Sequence, residues 1–280
     1  MYRQTPTYSL NIGGKLLSLD KPLVMAIVNL TPDSFYASSR VAGADVLVER
    51  VEDCLSQGAD IIDVGACSTR PGSEACGSEE EWARLGPALA LLRQRWPKAT
   101  LSLDTFRSEV ARRAVRDYGV DIINDVSGGE LDAEMFATVA DCHVPYVLTH
   151  SPARYGKSVD RTDNSVEGVL RYLAAKLSEL RMLGVADVIV DPGFGFGKSL
   201  EENYALLRRL RDFEVLDAPL LVGLSRKRMA YEPLGGTAAD ALTATTVLHT
   251  LALQGGVRIL RVHDVKAAAD CIKIMDLYQQ

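Results

Sequence analysis

An α/β fold, built as one (β/α)8 barrel behind a short N-terminal hairpin, is what the 280-residue sequence predicts. Three observations carry this. Short runs rich in valine and isoleucine alternate with amphipathic stretches eight times, the pattern of strand–helix units on a parallel sheet. The runs are apolar throughout rather than at every second residue, so both faces of the sheet are covered. No linker or shift of composition divides the chain, so residues 1–280 are read as one domain with 1–20 as its hairpin extension. An open doubly wound sheet satisfies the same alternation, but eight units over this length fit the closed barrel better.

The elements follow in order. Residues 8–19 alternate around Gly13 and Gly14, which marks a hairpin turn. Strands are expected at 23–28, 61–64, 100–103, 121–123, 146–148, 188–190, 220–222 and 257–260. Helices are expected at 45–56, 79–95, 108–118, 134–139, 166–183, 200–210, 240–253 and 266–277. The first helix carries Val46, Leu47, Val51, Cys54 and Leu55 as an apolar stripe. Gly58, Gly119 and Gly184 stand where helices should stop, since glycine enters the left-handed region freely. Asp45 and Ser199 read as N-caps.

The formal net charge of -6 speaks against a nucleic-acid partner held by bulk electrostatics, and leaves an anionic small molecule open. Cys54, Cys67, Cys76, Cys142 and Cys271 form no C-x-x-C pair, as expected in a reducing cytoplasm. The N-terminus lacks an apolar signal core, and no apolar run is long enough to span a bilayer. A soluble cytoplasmic protein without a membrane partner is the expectation.

In a barrel of this kind the chemistry lies at the carboxyl ends of the strands. Those ends carry Asn29, Thr31 and Asp33 to Phe35, then Asp63 and 67–72, then Asp104 and Thr105. Next come Asn124 and Asp125, then Thr149 to Ser151, then Asp191 to Phe196, then Ser225 to Arg228, and last Arg261 to Asp264. Asp63, Thr105 and Asp264 read first as caps or structural hydrogen bonds. His143 and His249 lie in or beside helices and read as structural, and Arg112, Arg113, Arg208 and Arg209 as solvated helix faces. The convergence resists so plain an account. Asp104, Asn124 and Asp191 supply acids and an amide, while Arg70, Lys227, Arg228, Arg261 and His263 supply cations. Such a ring needs mutual pairing or a ligand, because unpaired buried charge is costly. A flat aminopyrimidinone with an anionic tail suits it: a carboxylate accepts two parallel N–H bonds from such a ring, and Phe196 or an arginine plane can stack on its face. The glycines around Asp191 would let the ring lie close to backbone.

These stretches resemble dihydropteroate synthase along nearly the whole chain. The resemblance rests on 29–35, 68–72, Asp104 with Thr105, 123–125, 191–196, 225–227 and 261–264, in that order and each at a strand exit. It implies a single TIM barrel, a homodimer, and the joining of 6-hydroxymethyl-7,8-dihydropterin diphosphate to p-aminobenzoate with loss of pyrophosphate. It implies Asp104, Asn124, Asp191, Phe196, Lys227 and Arg261 around the pterin, with Asp104, Asp191, Lys227 and Arg261 as the catalytic set. Asn29, Arg261 and His263 would hold the diphosphate, Asn29 also binding Mg2+. Thr31, Pro32, Asp33, Ser34, Phe35, Thr69, Arg70, Pro71 and Arg228 would place p-aminobenzoate. The chain departs from the family pattern at Cys67, where glutamate is usual, at 36–40 and 149–151, and at Arg228, where serine is common. Corrinoid-dependent methyltransferase barrels share the acid–amide–acid set but need neither the Ser68–Pro71 run nor the strand-seven and strand-eight cations. A non-catalytic pterin-binding relative would be expected to lack Asn29, Asp33, Arg70 or Arg261, and all four are present.

Overall fold

The structure, a computed structural model, describes residues 7–30, 40–66, 77–151, 153–154, 157–158 and 163–279. It opens with the hairpin β1 (Ser9–Ile12) and β2 (Lys15–Ser18), paired antiparallel with Ser9 opposite Ser18. Gly13 and Gly14 make the turn at φ 55° and 85°, the positive pair that a two-residue hairpin requires.

Eight parallel strands follow: β3 (Leu23–Asn29), β4 (Ile61–Gly65), β5 (Thr100–Asp104), β6 (Ile122–Asp125), β7 (Tyr146–Thr149), β10 (Val188–Asp191), β11 (Leu221–Val222) and β12 (Ile259–Val262). A small antiparallel pair, β8 (Ala153–Arg154) and β9 (Lys157–Ser158), follows β7 and was not expected from the sequence. The ladder runs β10-β7-β6-β5-β4-β3-β12-β11. Its two ends meet: Val190 bridges Leu220 in parallel, and the Val190 N–H donates to the Pro219 carbonyl at 2.9 Å. That seam decides for a closed barrel, since the ends of an open sheet would not pair.

Between the strands run α1 (Arg40–Ser56), α2 (Ser78–Arg95), α3 (Ser108–Tyr118), α4 (Met135–Cys142), α5 (Val166–Met182), α6 (Leu200–Arg208), α7 (Arg228–Tyr231), α8 (Leu242–Gln254) and α9 (Val265–Gln279). A 3-10 stretch, Leu210–Leu216, continues α6 where a plain helix end was expected. Ser199 caps α6 in a full capping box with Glu202, as its sequence suggests. Asp45 is not a cap. It lies inside α1, which starts at Arg40, a turn before the apolar stripe that signals the helix. Gly119 ends α3 at φ 59°, and His143 takes the same left-handed place after α4 at φ 54°.

Strand side chains alternate faces, and here the alternation separates two cores. Outward residues such as Ile62, Val64, Leu101, Leu103, Ile123, Leu148, Val190, Val222 and Leu260 join the helices in one large cluster. Inward residues Leu23, Met25, Ile61, Ile122, Val147, Ile189, Leu221 and Ile259 form a second cluster, closed from below by Leu10 and Leu19 of the hairpin region. Two residues further along the same strands, the inward series reads Asp63, Asn124, Thr149, Asp191 and Arg261. The barrel interior is therefore apolar at its floor and polar at its mouth.

Candidate active site at the barrel mouth

Most strands reach one or two residues past their apolar runs, so Asn29, Asp104, Asn124, Asp125, Thr149, Asp191 and Arg261 are strand residues themselves, whereas β11 ends at Val222 and leaves Ser225 to Arg228 beyond it. Asp104 sits opposite Asn124 across the β5–β6 ladder, and Asp191 opposite Thr149 across β10–β7. Fixed on paired strands, these side chains hold their spacing without help from loops.

Asp63 is the hub. It is fully buried; Oδ1 accepts from the Ser102 hydroxyl at 2.6 Å, and Oδ2 accepts from Asn124 Nδ2 at 3.1 Å and Arg261 Nε at 2.6 Å. Arg261 donates its Nη2 to Asp104 Oδ2 at 2.5 Å. One guanidinium thus lies between two carboxylates. Burial opposes its charge, but Asp63 and Asp104 outweigh burial and hold its pKa above the ordinary guanidinium value. Asp104 is pushed up, because burial outweighs the attraction of Arg261.

Across the mouth, Asp191 is 5% exposed, and its Oδ1 accepts the Gly193 N–H at 2.8 Å. Burial raises its pKa against the pull of Lys227. The Lys227 ammonium donates to the Phe194 carbonyl and lies 4.5 Å from the centre of the Phe196 ring. Burial brings its pKa down to about 8, with Asp191 opposing. Lys198 donates to the carbonyls of Gly193 at 2.8 Å and His150 at 3.2 Å, and burial brings it down to about 7.

Two glycines of this loop are required by contacts within the protein itself. Gly193 has φ 72°, and a Cβ there would stand 1.9 Å from the His150 carbonyl oxygen. Gly195 has φ 77°, and its Cβ would stand 2.9 Å from Lys227 Cδ. They let the β7 exit and Lys227 approach the loop. Phe194 is wholly buried in the outer core, while Phe196 is half-buried beneath Lys227.

A second cluster joins the exits of β11 and β12. The Ser225 hydroxyl accepts the His263 backbone N–H at 3.2 Å and lies 3.2 Å from His263 Nδ1. Arg226, a non-glycine residue at φ 55°, forks onto Asp264 at 2.8 and 2.7 Å, and its N–H donates to Thr245 Oγ1 of α8. Burial, then the charge of Arg261, brings His263 down to about 4, so its ring is neutral near pH 7. Asn29 ends β3 as its one exposed residue. A Cβ on Gly65 would stand 3.2 Å from Asp104 Cβ and 3.6 Å from Asn29 Oδ1, so the glycine lets these two side chains approach β4 from either side.

Asp104, Asn124, Asp191, Phe196, Lys227 and Arg261 are thus gathered at one mouth, with His263 and Asn29 at its rim. Arg228 is ion-paired with Glu232 at 2.9 Å, its side chain 77% exposed. Thr31, Pro32, Asp33, Ser34, Phe35, Thr69, Arg70 and Pro71, together with Cys67, lie outside the described residues. Asp63, expected to be structural, is structural in a way that reaches the site, because it anchors two site residues. Its signal was in the sequence: it falls two residues after Ile61, on the inward register. Arg226 and Lys198 carried no such signal, since their partners come from other elements or from backbone. Among the described residues no cluster of His, Cys, Asp or Glu could hold a metal by itself, and no helix is long and apolar enough to cross a membrane.

The family described as pterin binding enzyme matches residues 25–263. A dihydropteroate synthase of Neisseria meningitidis serogroup C is 39% identical over 92% of this chain and 93% of its own length. A mitochondrial folate synthesis bifunctional protein of Arabidopsis thaliana is 38% identical over 95% of this chain, which spans 51% of that longer protein. The Xanthomonas albilineans dihydropteroate synthase solved with 4-aminobenzoic acid superposes with TM-score 0.88 at 37% identity, covering 98% of this chain and 99% of that one. With the motifs at Asp104, 123–125, 191–196, 225–227 and 261–264 at the ends of a closed barrel and likeness along almost its whole length, the chain belongs to the dihydropteroate synthase family of pterin binding enzymes.

Proposed function

We propose that this chain is a dihydropteroate synthase, joining 6-hydroxymethyl-7,8-dihydropterin diphosphate to p-aminobenzoate and releasing pyrophosphate. The observation that carries the reading is the placement of Asp104, Asn124 and Asp191 on strand ends around one mouth, with Lys227 beside Asp191. Asp191 offers a carboxylate to the N–H-rich edge of the pterin, Lys227 donates to its acceptors, and Phe196 walls one face.

The chemistry asked of the protein is electrostatic. As pyrophosphate leaves, positive charge spreads from the pterin methylene into the ring, where Asp104 and Asp191 stabilise it. Arg261 and His263 take up the departing anion, Arg261 by charge and His263 as a neutral hydrogen-bonding ring. The aniline nitrogen of p-aminobenzoate then attacks the methylene, so no side-chain nucleophile is required. Asn29, the exposed end of β3, carries an amide oxygen of the kind a hard cation takes and would hold magnesium, which when bound would neutralise charge on the leaving diphosphate. Thr31 to Phe35 and Thr69 to Pro71 are the residues we assign to p-aminobenzoate. Arg228 is a further candidate for its carboxylate, in competition with Glu232.

A homodimer is proposed as well. The adjacent helices α8 and α9 expose Val247, Leu251, Ile274, Leu277 and Tyr278, more apolar surface than a solvated helix pair needs. Sedimentation of the purified protein tests this; a monomer at micromolar concentration refutes it.

The activity is tested by supplying the pterin diphosphate, p-aminobenzoate and magnesium and following pyrophosphate and dihydropteroate. Equal release of both supports the reading. No release refutes it.

A further inference from the structure

Arg261 is held twice, and the two carboxylates that hold it are not equivalent. Asp63 is fully buried and also accepts from Ser102 and Asn124, so it has no exposed face to offer a ligand. Asp104 is the last residue of β5, with its side chain 10% exposed at the mouth and Arg261 on its Oδ2. The Asp63 contact is therefore a fixed anchor and the Asp104 contact an exchangeable one.

We propose that Arg261 couples the two halves of the substrate by exchanging Asp104 for the diphosphate, with Asp63 as the positioning residue that holds its Nε throughout. This rests on the reading of the site as one for a pterin diphosphate. Pyrophosphate binding alone draws the Arg261 Nη2 away and leaves Asp104 a buried, unpaired carboxylate, which is unfavourable. A pterin ring alone can give Asp104 N–H donors only in competition with Arg261. With both present, the ring satisfies Asp104 while the anion satisfies Arg261, and neither group is stranded. Asp63 meanwhile accepts from Asn124 Nδ2, which fixes the orientation of that amide.

The test is calorimetric and uses the intact protein at fixed magnesium. Inorganic pyrophosphate is titrated with and without saturating 6-hydroxymethylpterin, and the pterin with and without pyrophosphate. Each ligand should tighten the other by the same factor, about tenfold or more, since linkage is reciprocal. In Asp104→Asn, which has no charge to strand, that factor should fall below about threefold even if each ligand alone binds less well. Asp63→Asn should lower it too by loosening the anchor, and if that variant fails to fold, Asp104→Asn decides alone. Both ligands binding wild type independently, or full coupling in Asp104→Asn, overturns the proposal and leaves the pterin site standing. No pterin binding at all removes the pocket reading, and this inference with it.

Discussion

The floor and the mouth of the barrel are made by the same strands two residues apart, and they have opposite physics. At the floor Ile61, Ile122, Ile189 and Ile259 meet each other and the hairpin residues Leu10 and Leu19. At the mouth Asp63, Asn124, Asp191 and Arg261 stand one inward step along those strands. The floor gains stability by leaving water. The mouth spends some of it, because charged groups are held where burial disfavours their charge. Stability and chemistry are therefore separated along one axis, so substitutions should sort by which layer they touch.

The largest expected effect is at the floor. Ile189→Ala removes three methyl or methylene carbons from a fully buried position and should destabilise the protein by about 2–5 kcal/mol. Denaturant unfolding reads this, and activity per folded molecule should hold. A specific-activity loss as large as that of a mouth variant would show that the layers are not separable.

Asp191→Asn is the complementary case. It turns one acceptor of the proposed fork into a donor and should lower kcat/KM about a hundredfold, roughly 2.7 kcal/mol of transition-state stabilisation. Its melting temperature should stay level or rise. The sign follows from linkage: burial raises the folded pKa of Asp191, so the folded state binds the proton more tightly than the unfolded one. Stability from this group is complete below the unfolded value near 3.8 and is lost as pH climbs through the folded value, above which the charged carboxylate is a penalty. A melting temperature that falls as far as that of Ile189→Ala would place Asp191 among the structural residues.

Lys227 offers a pH version of the same contrast. Its folded pKa is brought down to about 8 from 10.5, so its charge destabilises below that point and stability rises as pH passes from about 8 toward 10.5. Pterin affinity should move the other way, weakening above about pH 8 as the ammonium donor is lost. Lys227→Met should abolish this alkaline limb. An unchanged limb would assign the titration to a different group, such as Lys198.

How far the sequence could be read follows the same division. Strands, helices and the polar strand exits were legible because each is written in local periodicity, and Asp104, Asn124 and Asp191 needed only their position at a run's end. The role of Asp63 required a register argument, counting two residues on from Ile61. What stayed hidden depends on meetings across the fold. Arg226 finds Asp264 across 38 residues of sequence, the hairpin that Gly13 and Gly14 announce gives no hint that it seals the barrel floor, and the glycines of the Asp191 loop make way for His150 and Lys227. A glycine reports that something comes close. It does not report what.

Arg228 gives the smallest expected effect and tests the rim against the mouth. At the first position of α7 it lies near where the resemblance puts the p-aminobenzoate carboxylate, yet its guanidinium is already on Glu232 one turn along. An exposed pair of this kind contributes little to stability and is screened by salt. Arg228→Ser, which restores the residue common in the family, should shift the KM for p-aminobenzoate by less than about threefold and leave pterin affinity untouched. Glu232→Gln sharpens the question by freeing the guanidinium. If Arg228 reaches the substrate, that variant should lower the KM for p-aminobenzoate, and the gain should vanish in the double variant with Arg228→Ser. A KM indifferent to both changes would confine Arg228 to a solvated ion pair and leave the carboxylate to the residues of the first two loops.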